Sequence, residues 1–291
     1  MIAVLKKKLP FIIVPVALGT ILVLYGSTIS TWLLQGQIGV QKQDTAQVVL
    51  MTPTPSDKPL TDVHYCRDTR PLYTLGHEAD QAVASKIESF VSYDTGGMIF
   101  TASYIASSSY EYNILSFSFP SVAKKVVPPP LPVYGSDPFK NKLLKEAYDK
   151  AYASYLVSSA MQEKSLHDLR GDVHQDAERV AAIAEVNDAK ASDPMGCLAQ
   201  ASQEFKSSQG NTVKELVIAS TMFSNVPPQN AGTIALPSVH VKLIFRTCLL
   251  STAAACQADT ANWERFFKHA GAASFQSLDP VQSQLPGSFS L

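Results

Sequence analysis

The amino-acid sequence predicts an α/β fold: a doubly wound, mainly parallel sheet with one antiparallel edge strand, covered by helices on both faces. Two observations predict it. Short β-rich runs alternate with helix-forming segments, which is the pattern of parallel strands joined by crossover helices. Two of these runs, 98–105 and 114–119, are separated only by a short loop. We therefore expect them to pair as an antiparallel hairpin, with the second near the sheet edge.

The first strand is predicted at 62–66, and an amphipathic helix follows, with Ala82, Val83 and Ile87 on its apolar side. After the hairpin, the prolines of 128–132 stop regular structure. A long helix-forming segment, inserted at about 138–190, comes next. We expect Gly171-Asp172 to break it into two helices, because glycine is a poor residue for a helix interior.

The remaining elements alternate again. Strands are predicted at 215–220, 239–245 and 274–278, and helices at 192–205 and 259–270. Gly271 is expected to end the last of these helices, since glycine readily adopts the left-handed conformation found after a helix.

The N-terminal segment has a different composition. No charged residue occurs between Lys8 and Lys42, and residues 9–34 are mainly apolar and long enough for a transmembrane helix. The lysine triplet Lys6–Lys8 places the basic tail, residues 1–8, in the cytoplasm. A cleaved signal peptide is the alternative, and both interpretations export the rest of the chain.

These features predict a single-pass protein of the cell membrane whose N-terminus is cytoplasmic and whose C-terminal domain is extracytoplasmic. Residues 35–60 are polar and are expected to form an extracytoplasmic linker. The α/β domain is predicted at 61–280, and residues 281–291 form a C-terminal tail.

Four cysteines form an even set, which an oxidising compartment permits to form two disulfides. Cys248 and Cys256 flank a short loop between a predicted strand and a predicted helix, so local closure is plausible there. Cys66 and Cys197 are then the remaining pair. Sequence alone allows three pairings, and four buried free thiols are the other alternative.

Composition and motifs exclude some classes of function. A formal net charge of −1 argues against a protein that binds nucleic acid. The six histidines are scattered, and the chain contains neither a G-x-S-x-G motif nor a phosphate-binding glycine loop. The single Asp94-Thr95-Gly96 triplet is interpreted as a turn. The sequence therefore does not predict an enzyme.

The order of strands and helices resembles that of the von Willebrand factor A (VWA) domain over roughly residues 60–280. Three local motifs resemble those of the family as well. The segment 66–70, CRDTR, lies where that family carries a D-x-S-x-S turn after its first strand. The segment 192–198, SDPMGCL, is similar to the family's second metal loop, which opens a helix. The segment 216–222, LVIASTM, resembles the strand that usually ends in a Ser-Asp pair.

The resemblance implies a metal-ion-dependent adhesion site, but several of its positions are altered here. Asp68 matches the first aspartate, whereas Arg70 and Leu72 replace the two serines. Ser192 replaces the usual threonine, and Thr221 stands where the last aspartate is expected. Mg²⁺ prefers an octahedron of oxygen ligands, so we expect no metal and no cofactor. Asp68 is expected either to pair with Arg70 or to serve only as a cap.

These observations predict a membrane-anchored module that binds or scaffolds a protein partner without a metal. The contact would use the strand-end loops or the inserted helices. Two alternatives remain open: an envelope enzyme whose site is not recognised, and a structural subunit of a membrane complex.

Overall fold

A computed structural model of the chain describes residues 51–69, 75–106, 113–184, 193–208, 210–222, 234–246, 248 and 252–284. Within these ranges no helix combines the length and the apolar character needed to cross a membrane. The predicted transmembrane helix at 9–34 lies outside the described residues, as do the cytoplasmic tail, most of the predicted linker and residues 285–291.

The described residues form six strands and five helices. The strands are β1 (Leu60–Asp68), β2 (Met98–Ile105), β3 (Asn113–Phe119), β4 (Thr212–Ala219), β5 (Val239–Ile244) and β6 (Ser274–Ser277). The helices are α1 (Gly76–Phe90), α2 (Pro138–Ala181), α3 (Pro194–Ser207), α4 (Ala253–His269) and α5 (Pro280–Gln284).

All six strands belong to one sheet, in the order β3-β2-β1-β4-β5-β6. Every neighbouring pair is parallel except β2 and β3, which form an antiparallel hairpin at one edge. The prediction of a mainly parallel sheet with one antiparallel edge strand is therefore confirmed. Strand order reverses between β1 and β4, the point at which ligands bind in sheets of this order.

Side chains alternate between the two faces of β1, and each face belongs to a cluster formed with a different pair of helices. Val63 and Tyr65 join the hydrophobic cluster that contains residues of α1 and α2. Cys66 joins the second cluster, to which α3 and α4 contribute Leu198 and Phe267. Helices thus cover both faces of the sheet, as the alternation of elements in the sequence predicts.

The predicted break at Gly171-Asp172 is wrong, because α2 runs without interruption for 44 residues. A glycine in a helix interior costs only about 1 kcal/mol relative to alanine. Leu166 and Val173 lie on either side of Gly171 and are buried in the core with residues of α1. This packing holds both sides of the glycine in helical conformation.

Both predicted disulfides are present. Cys66 of β1 is bonded to Cys197 of α3 across a sequence separation of 131, and both side chains are fully buried. Cys248 is bonded to Cys256, eight positions along the chain, in the first turn of α4. The first bond fixes a helix to the central strand, whereas the second closes a local loop.

The ends of α4 have separate local causes. The helix begins at Ala253, earlier than the predicted Asp259, and the Thr252 hydroxyl accepts a hydrogen bond from the Ala255 amide at 3.1 Å. Gly271 follows the helix with a φ of +91°, which confirms its predicted role as the stop.

Candidate functional site

The carboxyl ends of β1 and β4 meet where the strand order reverses. Arg67 pairs with Ala219 in the register of these two strands, so Asp68 and Ser220 emerge side by side. Ser220 Oγ donates a hydrogen bond of 2.6 Å to Asp68 Oδ2, and both side chains are fully buried. Asp68 is among the residues predicted from the sequence, whereas its partner Ser220 is not, although Ser220 directly precedes the predicted Thr221.

Ser220 is itself held by the backbone that follows it. Its hydroxyl oxygen accepts a hydrogen bond of 2.9 Å from the Met222 amide, which leaves its proton directed at Asp68. Met222 has a φ of +59°, a left-handed conformation that costs roughly 1–2 kcal/mol for a residue with a side chain. The chain turns at Met222 after β4, and the amide of this turn holds the Ser220 hydroxyl in place.

Of the other site residues predicted from the sequence, Thr221 lies within the described residues. Thr221 is 6 % exposed and adjoins Ser220. Arg70 and Ser192 lie outside the described residues, so the predicted pairing of Arg70 with Asp68 stays a prediction. Asp193, next to Ser192, caps α3 by accepting a hydrogen bond of 2.9 Å from the Gly196 amide. Its own amide donates to the Ala106 carbonyl beyond β2.

A magnesium ion at this edge would find the Asp68 carboxylate together with the hydroxyls of Ser220 and Thr221, while the nearby Asp193 carboxylate already caps α3. Mg²⁺ in proteins is usually held by carboxylates and water in octahedral geometry, so this donor set is a poor match. In the described part of the chain, the one group of three potential metal ligands is His64, Cys66 and Cys197. Its two sulfurs are joined in the disulfide, which removes the thiolates that a metal would need.

A buried polar cluster lies between β1 and α1, on the opposite side of β1 from the disulfide. Asp80 of α1 accepts hydrogen bonds from the Tyr65 hydroxyl at 2.8 Å and from Arg67 Nε at 3.2 Å. The Arg67 guanidinium packs against the backbone of Gly76, where any larger residue would collide with it. This cluster was not predicted from the sequence, since it forms only when α1 packs on β1 and brings together residues 13 and 15 positions apart.

Burial raises the pKa of the Asp80 carboxyl from 3.8 to about 6, because desolvation outweighs the favourable contacts with Arg67 and Tyr65. The folded state therefore holds this proton to a higher pH than the unfolded state does. The contribution of Asp80 to stability is largest below about pH 4 and is lost as the pH rises through 6.

We expect the wild-type free energy of unfolding to fall relative to that of Asp80→Asn as the pH rises from 4 to 7. The relative fall is up to about 3 kcal/mol, because each unit of difference between the folded and unfolded pKa corresponds to about 1.4 kcal/mol. Urea denaturation of both proteins at intervals of one pH unit measures it. Curves of stability against pH that stay parallel would contradict this assignment.

A second candidate site lies on a projection that we call the arm, residues 124–162. It consists of a proline-rich stretch, 124–137, and the first part of α2. Gln162 joins the two, since its side chain accepts a hydrogen bond from the Val126 amide at 3.0 Å and donates one to the Lys124 carbonyl at 2.8 Å. At the other end of the stretch, the Asn141 side chain accepts a hydrogen bond from the Gly135 amide at 2.9 Å and donates one to the Gly135 carbonyl at 2.8 Å.

Partly buried positions recur every third residue in the proline-rich stretch, at Val126, Pro129 and Pro132, while their neighbours are mostly exposed. Three residues per turn is the repeat of a polyproline II helix. The stretch therefore lays one of its edges along α2. Tyr148, Tyr152 and Tyr155 form a row of ring contacts on this part of the helix, at centroid distances of 5.8 and 5.7 Å.

The arm carries nearly all the exposed large apolar side chains of the described residues. Eleven of the twelve lie between Val127 and Met161, and the exception is Ile99. Single exposed apolar residues are ordinary, but a concentration of them marks a surface that contacts another molecule. The members are Val127, Leu131, Val133, Tyr134, Phe139, Leu143, Leu144, Tyr152, Leu156, Val157 and Met161.

A groove with a volume of about 750 Å³ adjoins this surface. Residues 51–53 and 120–123 form one side, and α2 forms the other with Met161, Leu166 and Leu169 among its lining residues. The apolar surface of the arm thus continues at Met161 into a concave site.

No protein-family model and no curated protein matches this chain.

Proposed function

We propose that this protein is a membrane-anchored, extracytoplasmic binding or scaffolding module with a VWA-like α/β body, and that it binds a protein partner through the arm without a metal. The predicted anchor at 9–34 would hold the module at the cell surface, where the disulfides are stable.

One observation carries the proposal: the polarity of α2 is inverted in the arm. Between residues 151 and 162 the chain has no charged side chain, and every exposed position is apolar. The buried positions of the same segment are serines, Ser154 and Ser158. A surface helix normally turns its polar side to water, so this segment is suited to being covered by another molecule.

Two features of the sheet support the VWA-like part of the proposal. Asp68 ends the central strand β1, and α3 begins beside it with a capping aspartate, Asp193. The metal-free part is supported by the hydrogen bond from Ser220, which satisfies one oxygen of the buried Asp68 carboxylate without a cation.

A photo-crosslinking amino acid in place of Tyr152 tests the proposed contact in cells that make the full chain. We expect protein adducts from this position, because Tyr152 lies in the middle of the uncovered apolar surface. Glu264, an exposed residue of α4, is the matched control position and is expected to give far fewer adducts. Adducts with lipid only, or equal yields at both positions, would refute a protein contact at the arm.

A further inference from the structure

We propose that the partner of the arm is a second copy of this chain, and that two arms pair in antiparallel orientation about a centre between Leu156 and Val157. This inference rests on the proposed function, in which the arm binds a protein, and it specifies which protein.

The shape of the exposed surface suits the packing of two helices. Its six positions between residues 151 and 162 come in adjacent pairs repeating every four residues, so they lie on one side of the helix. Two of them, Ala153 and Ala160, are small and seven residues apart, which lets a second helix approach closely. The six residues are Tyr152, Ala153, Leu156, Val157, Ala160 and Met161.

We call the uncharged residues 151–162 the apolar window. The charges on either side of it favour a second copy. Asp149 and Lys164 are equally distant from the proposed centre and opposite in sign. Lys150 and Glu163 form a second such pair. In an antiparallel dimer each residue lies level with its counterpart on the other chain, so opposite charges meet.

The same relation continues farther along the helix. Lys145 is level with Asp168, which again pairs opposite charges. In a parallel dimer each charge would instead meet its own copy, and like charges side by side repel. The charge pattern therefore selects the antiparallel orientation.

Existing ion pairs do not prevent this arrangement. Lys145 contacts Asp149 at 3.2 Å and Lys125 contacts Glu163 at 3.7 Å, but all four side chains are more than half exposed. Exposed pairs of this kind contribute little to stability and are free to rearrange when a second helix arrives.

A lipid surface is a less suitable occupant. Acidic side chains flank the apolar window as closely as lysines do, at Asp149 and Glu163. Helices that lie in a membrane interface usually carry lysine and arginine on the polar face, and anionic lipids repel carboxylates.

The paired segment, from Lys145 to Asp168, is roughly 36 Å long at 1.5 Å per residue. Two helices in contact over this length bury less surface than a standard protein interface does, so we expect weak association in dilute solution. Anchoring in one membrane raises the effective concentration of the arms and strengthens the pairing. The dimer is therefore expected where the full chain is in its membrane.

Cysteine crosslinking of the full-length chain tests the orientation. Two copies of the chain with different tags are made in the same cells. The first carries Asp149→Cys and the second carries Lys164→Cys. A short bis-maleimide reagent reacts with the new thiols, since all four native cysteines are in disulfides. We expect one crosslinked product that carries both tags, and at least a tenfold lower yield when either variant is expressed alone.

Charge reversal provides the matched control. Asp149→Lys alone places a lysine level with Lys164 of the other copy, so the yield of dimer trapped by a crosslinker at Tyr152 should fall several-fold. Adding Lys164→Glu to the same chain should restore it. A purely structural effect of the first substitution would not be reversed by the second.

Three results would overturn the inference. Maleimide products that join Asp149→Cys to itself would show parallel pairing. Tyr152 crosslinks confined to one chain would show that the arm is covered by its own chain, and the absence of any maleimide product would exclude the dimer. The Tyr152 crosslinks separate this failure from that of the proposed function: adducts with a different protein retain the binding surface but reject the second copy.

Discussion

Replacing Cys66 and Cys197 together by alanine is expected to lower the free energy of unfolding by about 5 kcal/mol. The bond closes a loop of 131 positions, and a long loop restricts the unfolded chain more than a short one does. Both cysteines are also fully buried between β1 and α3, so their loss removes core packing. Chemical denaturation under non-reducing conditions measures the change.

The second disulfide is the matched control. Cys248 and Cys256 are eight positions apart, and the same chain-entropy relation gives a loss of about 2.5 kcal/mol when both become alanine. The ratio of the two losses tests the argument better than either value alone. Equal losses would mean that loop closure does not dominate the stabilisation by these bonds.

Replacing Lys242 by methionine is expected to lower the free energy of unfolding by about 3–5 kcal/mol. Lys242 of β5 donates a hydrogen bond to Glu215 of β4, and the two residues are 8 % and 7 % exposed. Without the lysine, Glu215 becomes a buried carboxylate with no compensating charge. Thermal and urea denaturation at pH 7 measure the loss.

The double substitution Lys242→Met with Glu215→Leu separates the charge effect from packing. It removes both charges, so we expect it to recover most of the stability that the single substitution loses. If the double variant is as unstable as Lys242→Met, then packing at these positions, and not the unpaired carboxylate, determines the stability.

Local patterns in the sequence determined the order of elements and most of the sheet. Alternating strands and helices predicted the parallel pairing, and the short loop between 105 and 114 predicted the antiparallel hairpin. Gly271 was recognisable because its requirement for a left-handed conformation is local. The disulfide pairing was reachable as well, since closing the short Cys248–Cys256 loop leaves only one other pair.

The tertiary structure alone decided what depends on residues far apart in the chain. Gly171 did not break α2, because burial of Leu166 and Val173 outweighs a local propensity of about 1 kcal/mol. Ser220 meets Asp68 only because β1 and β4 are neighbours in the sheet, 152 positions apart. Likewise, the sequence contains an uncharged helical window at 151–162, but only the packing of the proline-rich stretch and the domain against its serine side leaves its apolar side facing outward.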